Sequence, residues 1–174
     1  KFRIRSGIEL VKIKKGTVLQ EKGKINPNAY FVTKGLLRSY TIDEKGKEHI
    51  YLFGPEGWLV SDMEYDGKNQ GVFYIDAIED SEVEVISGHM IHEFETLLDI
   101  GNFREEAERL LKRIGVLQKR VIMLMSASAL ERYQDFVETY PSIVERVPQR
   151  MIASYLGITP EALSKVKGKY LRNS

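Results

Sequence analysis

The sequence predicts an α+β protein: β structure from residue 8 to about 86, helices from there to the end. Three observations carry this. Six short segments rich in β-branched and aromatic residues fill the first half. A seven-residue apolar repeat begins at Phe103. Two short amphipathic segments then flank a single glycine, Gly157. The expected divisions are residues 1–100, 101–125 and 126–174.

The β segments are IELVKI, NAYFV, LLRSYTI, HIYLF, VFYIDAI and EVEVI, separated by glycines such as Gly16, Gly35, Gly46, Gly57 and Gly71. Short runs of this composition between turn residues read as strands. Asp43-Glu44-Lys45-Gly46 reads as a hairpin turn. So many short strands imply a sandwich, a jelly roll or a barrel. Residues 88–98 could form a short helix.

From Phe103 the apolar residues fall at Phe103, Ala107, Leu110, Ile114, Leu117, Val121 and Leu124, at intervals of four and three. β-branched residues at a with Leu at d favour a parallel two-stranded coil. These seven residues are therefore the expected dimer seam, with Lys112, Arg113, Lys119 and Arg120 keeping the other face in solvent. Ser126 or Ser128 then caps a helix over ALERYQDFVETY, which Pro141 stops.

Pro148 lies near the first position of the next helix, whose apolar face is Met151, Ile152, Tyr155 and Leu156. Gly157 sits where a left-handed residue ends a helix. Thr159 is a good N-cap and Pro160 a good first residue for a second helix. Leu163, Val166 and Tyr170 share one face of it; Glu161, Ser164, Lys165, Gly168 and Lys169 share the other. This is the layout of a helix-turn-helix, in which the second helix enters the major groove. Lys165 can read guanine and Glu161 can accept from cytosine. Arg150, Lys167 and Lys169 are candidate phosphate contacts, which position without specifying.

Charge is blocked along the chain. Residues 1–53 are basic, residues 54–99 hold twelve acids against the single base Lys68, and residues 146–174 hold six bases against the single acid Glu161. The chain has no cysteine, which excludes disulfides, zinc–thiolate sites and iron–sulfur clusters. No apolar run approaches the ~20 residues of a membrane helix, and no secretory signal is visible. The chain begins at Lys1 rather than Met, so preceding residues are expected.

The chain resembles the Crp/Fnr-type, cyclic-nucleotide-binding-domain transcription regulators, in particular their Bacteroidetes branch. The likeness rests on KKGTVLQEKG with FVTKGLLRSY, on GPEGWLVSDME with DAIEDSEVEVIS, and above all on ERYQDFVETYPSIVERVPQRMIASYLGITPEALSKV. It implies an N-terminal jelly-roll sensor, a homodimer through the long helix, and double-stranded DNA read by the helix from Thr159. Base contacts fall on Pro160, Glu161 and Lys165. It further implies a cytoplasmic, non-enzymatic protein, with RNA polymerase and a small-molecule effector as partners to expect.

The sequence departs from that pattern in three places. Family members that bind cyclic AMP hold the ribose with Gly-Glu-Leu and the cyclic phosphate with an Arg-Ser/Thr pair. Here the first is Ser61-Asp62-Met63 and the second falls near Gln70-Gly71-Val72, with no arginine. A buried phosphate would lack its charge-assisted bonds, so cyclic AMP is not expected as effector; the pocket takes another ligand or none, with Trp58 and Asp62 near its mouth. Pro160 replaces an expected arginine. No β-hairpin wing follows the last helix within the 174 residues.

Two rival readings compete with this one. A cupin-like metal enzyme needs a His-x-His pair, a Glu and a third His on strands. His49, His89 and His92 do not fit, nor does His89-Met90-Ile91-His92-Glu93 match a zinc-protease order, so no catalytic or metal-ligating set is assigned. A sensing or protein-interaction module that has lost DNA binding is the other rival, kept open by Pro160, Gly168 and the missing wing.

Overall fold

The computed structural model describes residues 8–26, 28–62, 70–87 and 100–173, without side chains at 100–107, 109, 110, 112, 113 and 173. The expected short helix over 88–98 lies outside these residues, as do Met63, His89 and His92. The chain divides into two compact units, Lys1–Leu97 and Leu98–Ser174. The long helix therefore groups with the C-terminal helices.

Among the described residues the first unit has eight strands: β1 (Ile8–Ile13), β2 (Val18–Gln20), β3 (Ala29–Lys34), β4 (Leu37–Ile42), β5 (Glu48–Gly54), β6 (Leu59–Val60), β7 (Tyr74–Ala77) and β8 (Ser81–Ile86). They form two four-stranded antiparallel sheets, ordered β1-β8-β3-β6 and β2-β7-β4-β5. That pairing is jelly-roll topology, the double-sheet solution to exposed strand edges. Six strands match the segments read from the sequence. β2 and β6 do not, because three and two residues are too few to show a period of two.

One apolar cluster draws on both sheets. Ile13, Tyr30, Val32, Val60 and Val83 come from the first; Leu37, Ile75 and Ala77 come from the second. Alternation along the strands places them there, since a period of two sends every other side chain inward. In β8, for example, Ser81 and Val83 are buried between partly exposed glutamates. The β4–β5 hairpin closes on the expected turn. Asp43 exchanges backbone bonds with Lys47 and Gly46, and its Oδ1 accepts the Lys45 and Lys47 amides. Gly46 adopts φ +77° there.

A charged cluster braces the second sheet. Arg38 lies directly opposite Asp76 across β4 and β7. Its Nε and Nη2 donate to Asp76 Oδ1 and Oδ2 at 2.7 and 2.9 Å, and Nη1 donates to Glu48 Oε2 at 2.6 Å. The guanidinium also lies 4.0 Å from the Tyr40 ring centroid. Arg38 is only 7% exposed, so the two-pronged pairing with Asp76 is what makes its burial tolerable.

Among the described residues the second unit has four helices: α1 (Ile100–Ser126), α2 (Ala129–Thr139), α3 (Gln149–Leu156) and α4 (Pro160–Asn173). Ser128, not Ser126, caps α2, through a reciprocal box. Its hydroxyl accepts the Glu131 amide and its own amide donates to the Glu131 carboxylate. Ser126 instead donates back to Ile122 O. Pro148 is the N-cap of α3 rather than its first residue. Its ψ of 138° is extended, so the helix starts one residue later, at Gln149. The core beneath these helices is aromatic: Phe136 packs 5.4 Å from both Tyr140 and Tyr155, and Tyr140 meets Tyr155 edge-on at 5.8 Å. Burial pushes the Tyr140 hydroxyl far above the ordinary tyrosine range.

Candidate nucleic-acid interface

The corner between α3 and α4 is built by local chemistry. Gly157 stands in the left-handed region, φ 67° and ψ 33°. Its amide donates to Ser154 O at 3.1 Å, and that of Ile158 to Ala153 O at 3.0 Å. These bonds satisfy carbonyls that the end of α3 would otherwise leave open. Thr159 then caps α4: its hydroxyl accepts the Ala162 amide at 3.2 Å. Leu163 and Val166 anchor α4 in the core, 1% and 7% exposed, and Tyr170 meets Tyr133 edge-on at 5.4 Å. The buried residues lie at the spacing read from the sequence.

The opposite face of α4 is open to solvent. Thr159, Pro160, Glu161, Ser164, Lys165 and Lys169 are exposed, as is Arg150 at the start of α3; Lys167 is half-buried. Glu161 stays ionised below the ordinary carboxylate range, because its carboxylate accepts from its own amide and from the Thr159 hydroxyl. An ionised Glu is acceptor-only, which suits a cytosine amino group and repels phosphate. Gly168 lies within a continuous helix that runs on to Asn173.

Along α1 the exposed apolar residues extend beyond those expected for the seam. Ile114, Val121 and Leu124 are 48%, 56% and 41% exposed, and Leu117 is half-buried. The side chains of Phe103, Ala107 and Leu110 lie outside the described residues. Leu111, Ile122 and Met125 are also exposed, at 66%, 61% and 82%. They fall one residue after the d, a and d positions, on a second stripe beside the first. The signal was present in the sequence, but a strict two-in-seven pattern does not count it.

Of the four basic residues expected in solvent, Lys112 and Arg113 have side chains outside the described residues, and Lys119 is exposed while Arg120 is half-buried. Lys119 pairs with Asp135 of α2. Arg120 Nη2 donates to Tyr155 O at 3.0 Å. Arg132 of α2 donates to Leu156 O at 2.8 Å. No periodicity marks these arginines, because their partners are backbone carbonyls distant in sequence.

In the first unit, Asp62 is 8% exposed. Its Oδ2 accepts the amides of Val72 and Phe73 at 2.6 and 3.1 Å and the Gln20 side-chain amide at 2.9 Å. Gly71 closes against this group: a Cβ there would sit 2.6 Å from Gln20 Nε2. Trp58, Ser61, Gly71 and Val72 are half-buried and Gln70 is exposed. Asp62 is thus buried in a hydrogen-bonded cluster, with its Oδ1 and Gln20 Oε1 left without a partner among the described residues. His49 pairs with Asp43. Among the described residues, no helix is long and apolar enough to cross a membrane.

A two-sheet roll followed by a long helix and an outward-facing helix-turn-helix has the parts of a DNA-binding regulator. Comparison with known proteins agrees. Residues 10–96 match the family model of the cyclic nucleotide-binding domain. The chain is 29% identical over 180 residues to the fumarate and nitrate reduction regulatory proteins of Escherichia coli (strain K12) and Salmonella typhimurium, covering 92% of this chain and 68% of each relative. It shares its fold with FixK2 from Bradyrhizobium japonicum, at TM-score 0.78, 18% identity, and 95% and 85% coverage of the two chains. A Crp/Fnr-family transcriptional regulator from Thermus thermophilus aligns at TM-score 0.72, 20% identity, and 95% and 87% coverage. The chain belongs to the cyclic nucleotide-binding-domain family, as a transcription regulator of the Crp/Fnr type.

Proposed function

We propose that the protein is a cytoplasmic, non-enzymatic homodimer that reads a two-fold-symmetric DNA site and does not respond to cyclic AMP. The observation that carries the reading is α4 itself. Its Leu163–Val166 face is locked into the core, which leaves Glu161, Ser164 and Lys165 presented together beside a capped N-terminus. Thr159 and Pro160 lie at the leading end, and Arg150, Lys167 and Lys169 supply cations for flanking phosphates. The bare apolar face of α1 supports the dimer, because a monomer gains nothing by keeping such a stripe in water. Two copies of α4 would then address half-sites about 34 Å apart. RNA polymerase and an effector of another chemistry remain the expected further partners.

The cyclic AMP claim rests on charge. The Val72 and Phe73 amides, which could greet an anion, already hold the Asp62 carboxylate. A second anion there meets repulsion in place of a cation.

The test is selection from a random duplex pool at fixed salt, with and without cyclic AMP, beside a Glu161→Ala/Lys165→Ala variant. The parent should enrich a symmetric site equally in both conditions and the variant should not. A site that appears only with cyclic AMP would overturn the effector claim. No site from the parent, with or without cell extract, would favour a sensing module without DNA binding.

A further inference from the structure

Two guanidinium groups converge on one end of one helix. Tyr155 and Leu156 are the last residues of α3, and their carbonyls accept from Arg120 of α1 at 3.0 Å and from Arg132 of α2 at 2.8 Å. The Arg120 guanidinium also stacks over the Tyr155 ring, 4.1 Å from its centroid. One turn further along α1, Leu124 reaches the glycine of the corner: a Cβ on Gly157 would lie 3.3 Å from Leu124 Cδ2 and 3.6 Å from Arg132 Nη1. All of these contacts fall on the three residues that end α3 and lead into α4, which itself packs on α2 through Tyr170 and Tyr133.

The chemistry suits the place. The last carbonyls of a helix lack intrahelical partners and carry the negative end of its dipole, so a fixed cation is favoured there. A guanidinium is planar with donors in a rigid fork, and it stacks on aromatic faces; an ammonium does neither. Arg120 makes both kinds of contact at once, and so fixes direction as well as distance. Only Ala127 and Ser128 separate α1 from α2, and neither has reason to set the angle of α4.

We propose that Arg120 is a positioning residue for DNA recognition: with Arg132 it clamps the end of α3, so that α3 and α4 are held at a fixed direction relative to the long helix α1. The functional half of this proposal rests on the reading of α4 as the DNA-contacting helix. The mechanical half does not.

The chain has no cysteine, so Glu108→Cys and Ser164→Cys place a unique spin-label pair on exposed residues of α1 and α4. Double electron–electron resonance, with labelled chain diluted into unlabelled chain, reads the distance within one copy. Arg120→Ala and Arg120→Lys should both broaden that distribution, with helix content at 222 nm and molar mass by light scattering unchanged. Arg120→Gln serves if the alanine variant does not fold. In the duplex selection, the variants should enrich the parent's half-site with a spread of spacings, and bind the parent's best site about tenfold or more weakly. An unchanged distance distribution in folded Arg120→Ala and Arg120→Lys overturns the proposal, as does an unchanged spacing preference. If the parent enriches no site, the DNA reading fails by itself, and the distance measurement still decides whether Arg120 holds α4 at a fixed direction relative to α1.

Discussion

Two glycines of the helix-turn-helix allow the same substitution to be made with opposite expected signs. Gly157 is left-handed and close to Leu124. An alanine there takes on the left-handed penalty of about 1–2 kcal/mol, partly offset by about 0.4–1 kcal/mol of lost unfolded-state freedom. The 3.3 Å approach to Leu124 Cδ2 adds crowding. Gly157→Ala should therefore destabilise the helical unit by about 1 kcal/mol. Gly168 has no φ in the left-handed range, and a Cβ built on it meets nothing within 4 Å. Gly168→Ala should stabilise by up to about 1 kcal/mol. The gap of about 2 kcal/mol corresponds to roughly 8–16 °C in melting temperature for a unit of this size. Circular dichroism at 222 nm follows the helices, and Trp58, the single tryptophan, reports the sandwich as an internal control. Equal signs for the two variants, or a shift in both signals alike, would refute the reasoning about the corner.

The seam of α1 is tested by Leu117→Asp, which removes about 1.5–3 kcal/mol of burial from each copy; light scattering should show monomers at micromolar concentration, and a persisting dimer would place the interface elsewhere. Arg38→Ala leaves Asp76, whose side chain is 11% exposed, without its cation, and should cost about 3–5 kcal/mol in urea unfolding followed by Trp58 fluorescence. A loss under about 1 kcal/mol would mean that water replaces the pair. Glu131 is held below its ordinary value of 4.5 by its bonds with Ser128. Its contribution to α2 is present above that unfolded value and is lost as pH falls through the lower folded one. Between about pH 6 and pH 3 the melting temperature of the helices should therefore fall further in the parent than in Glu131→Gln.

The parts that sequence alone determined are those set by local chemistry. Gly157, Thr159 and Pro160 specify a helix end and the next helix start through φ, a hydroxyl acceptor and a missing donor. Leu163 and Val166 need only the period of a helix to find the core. Strands long enough to alternate were legible for the same reason, and β2 and β6 were too short to be. The position of Pro148 slipped by one residue, because proline constrains φ but not ψ. Tertiary structure decided what depends on partners far apart in the chain. Arg120 and Arg132 find backbone carbonyls thirty-five and twenty-four residues away. Asp62 finds the amides of Val72 and Phe73 and a side chain forty-two residues before it. A charged side chain carries no period that reveals which distant dipole it will meet; only the folded backbone brings the two together.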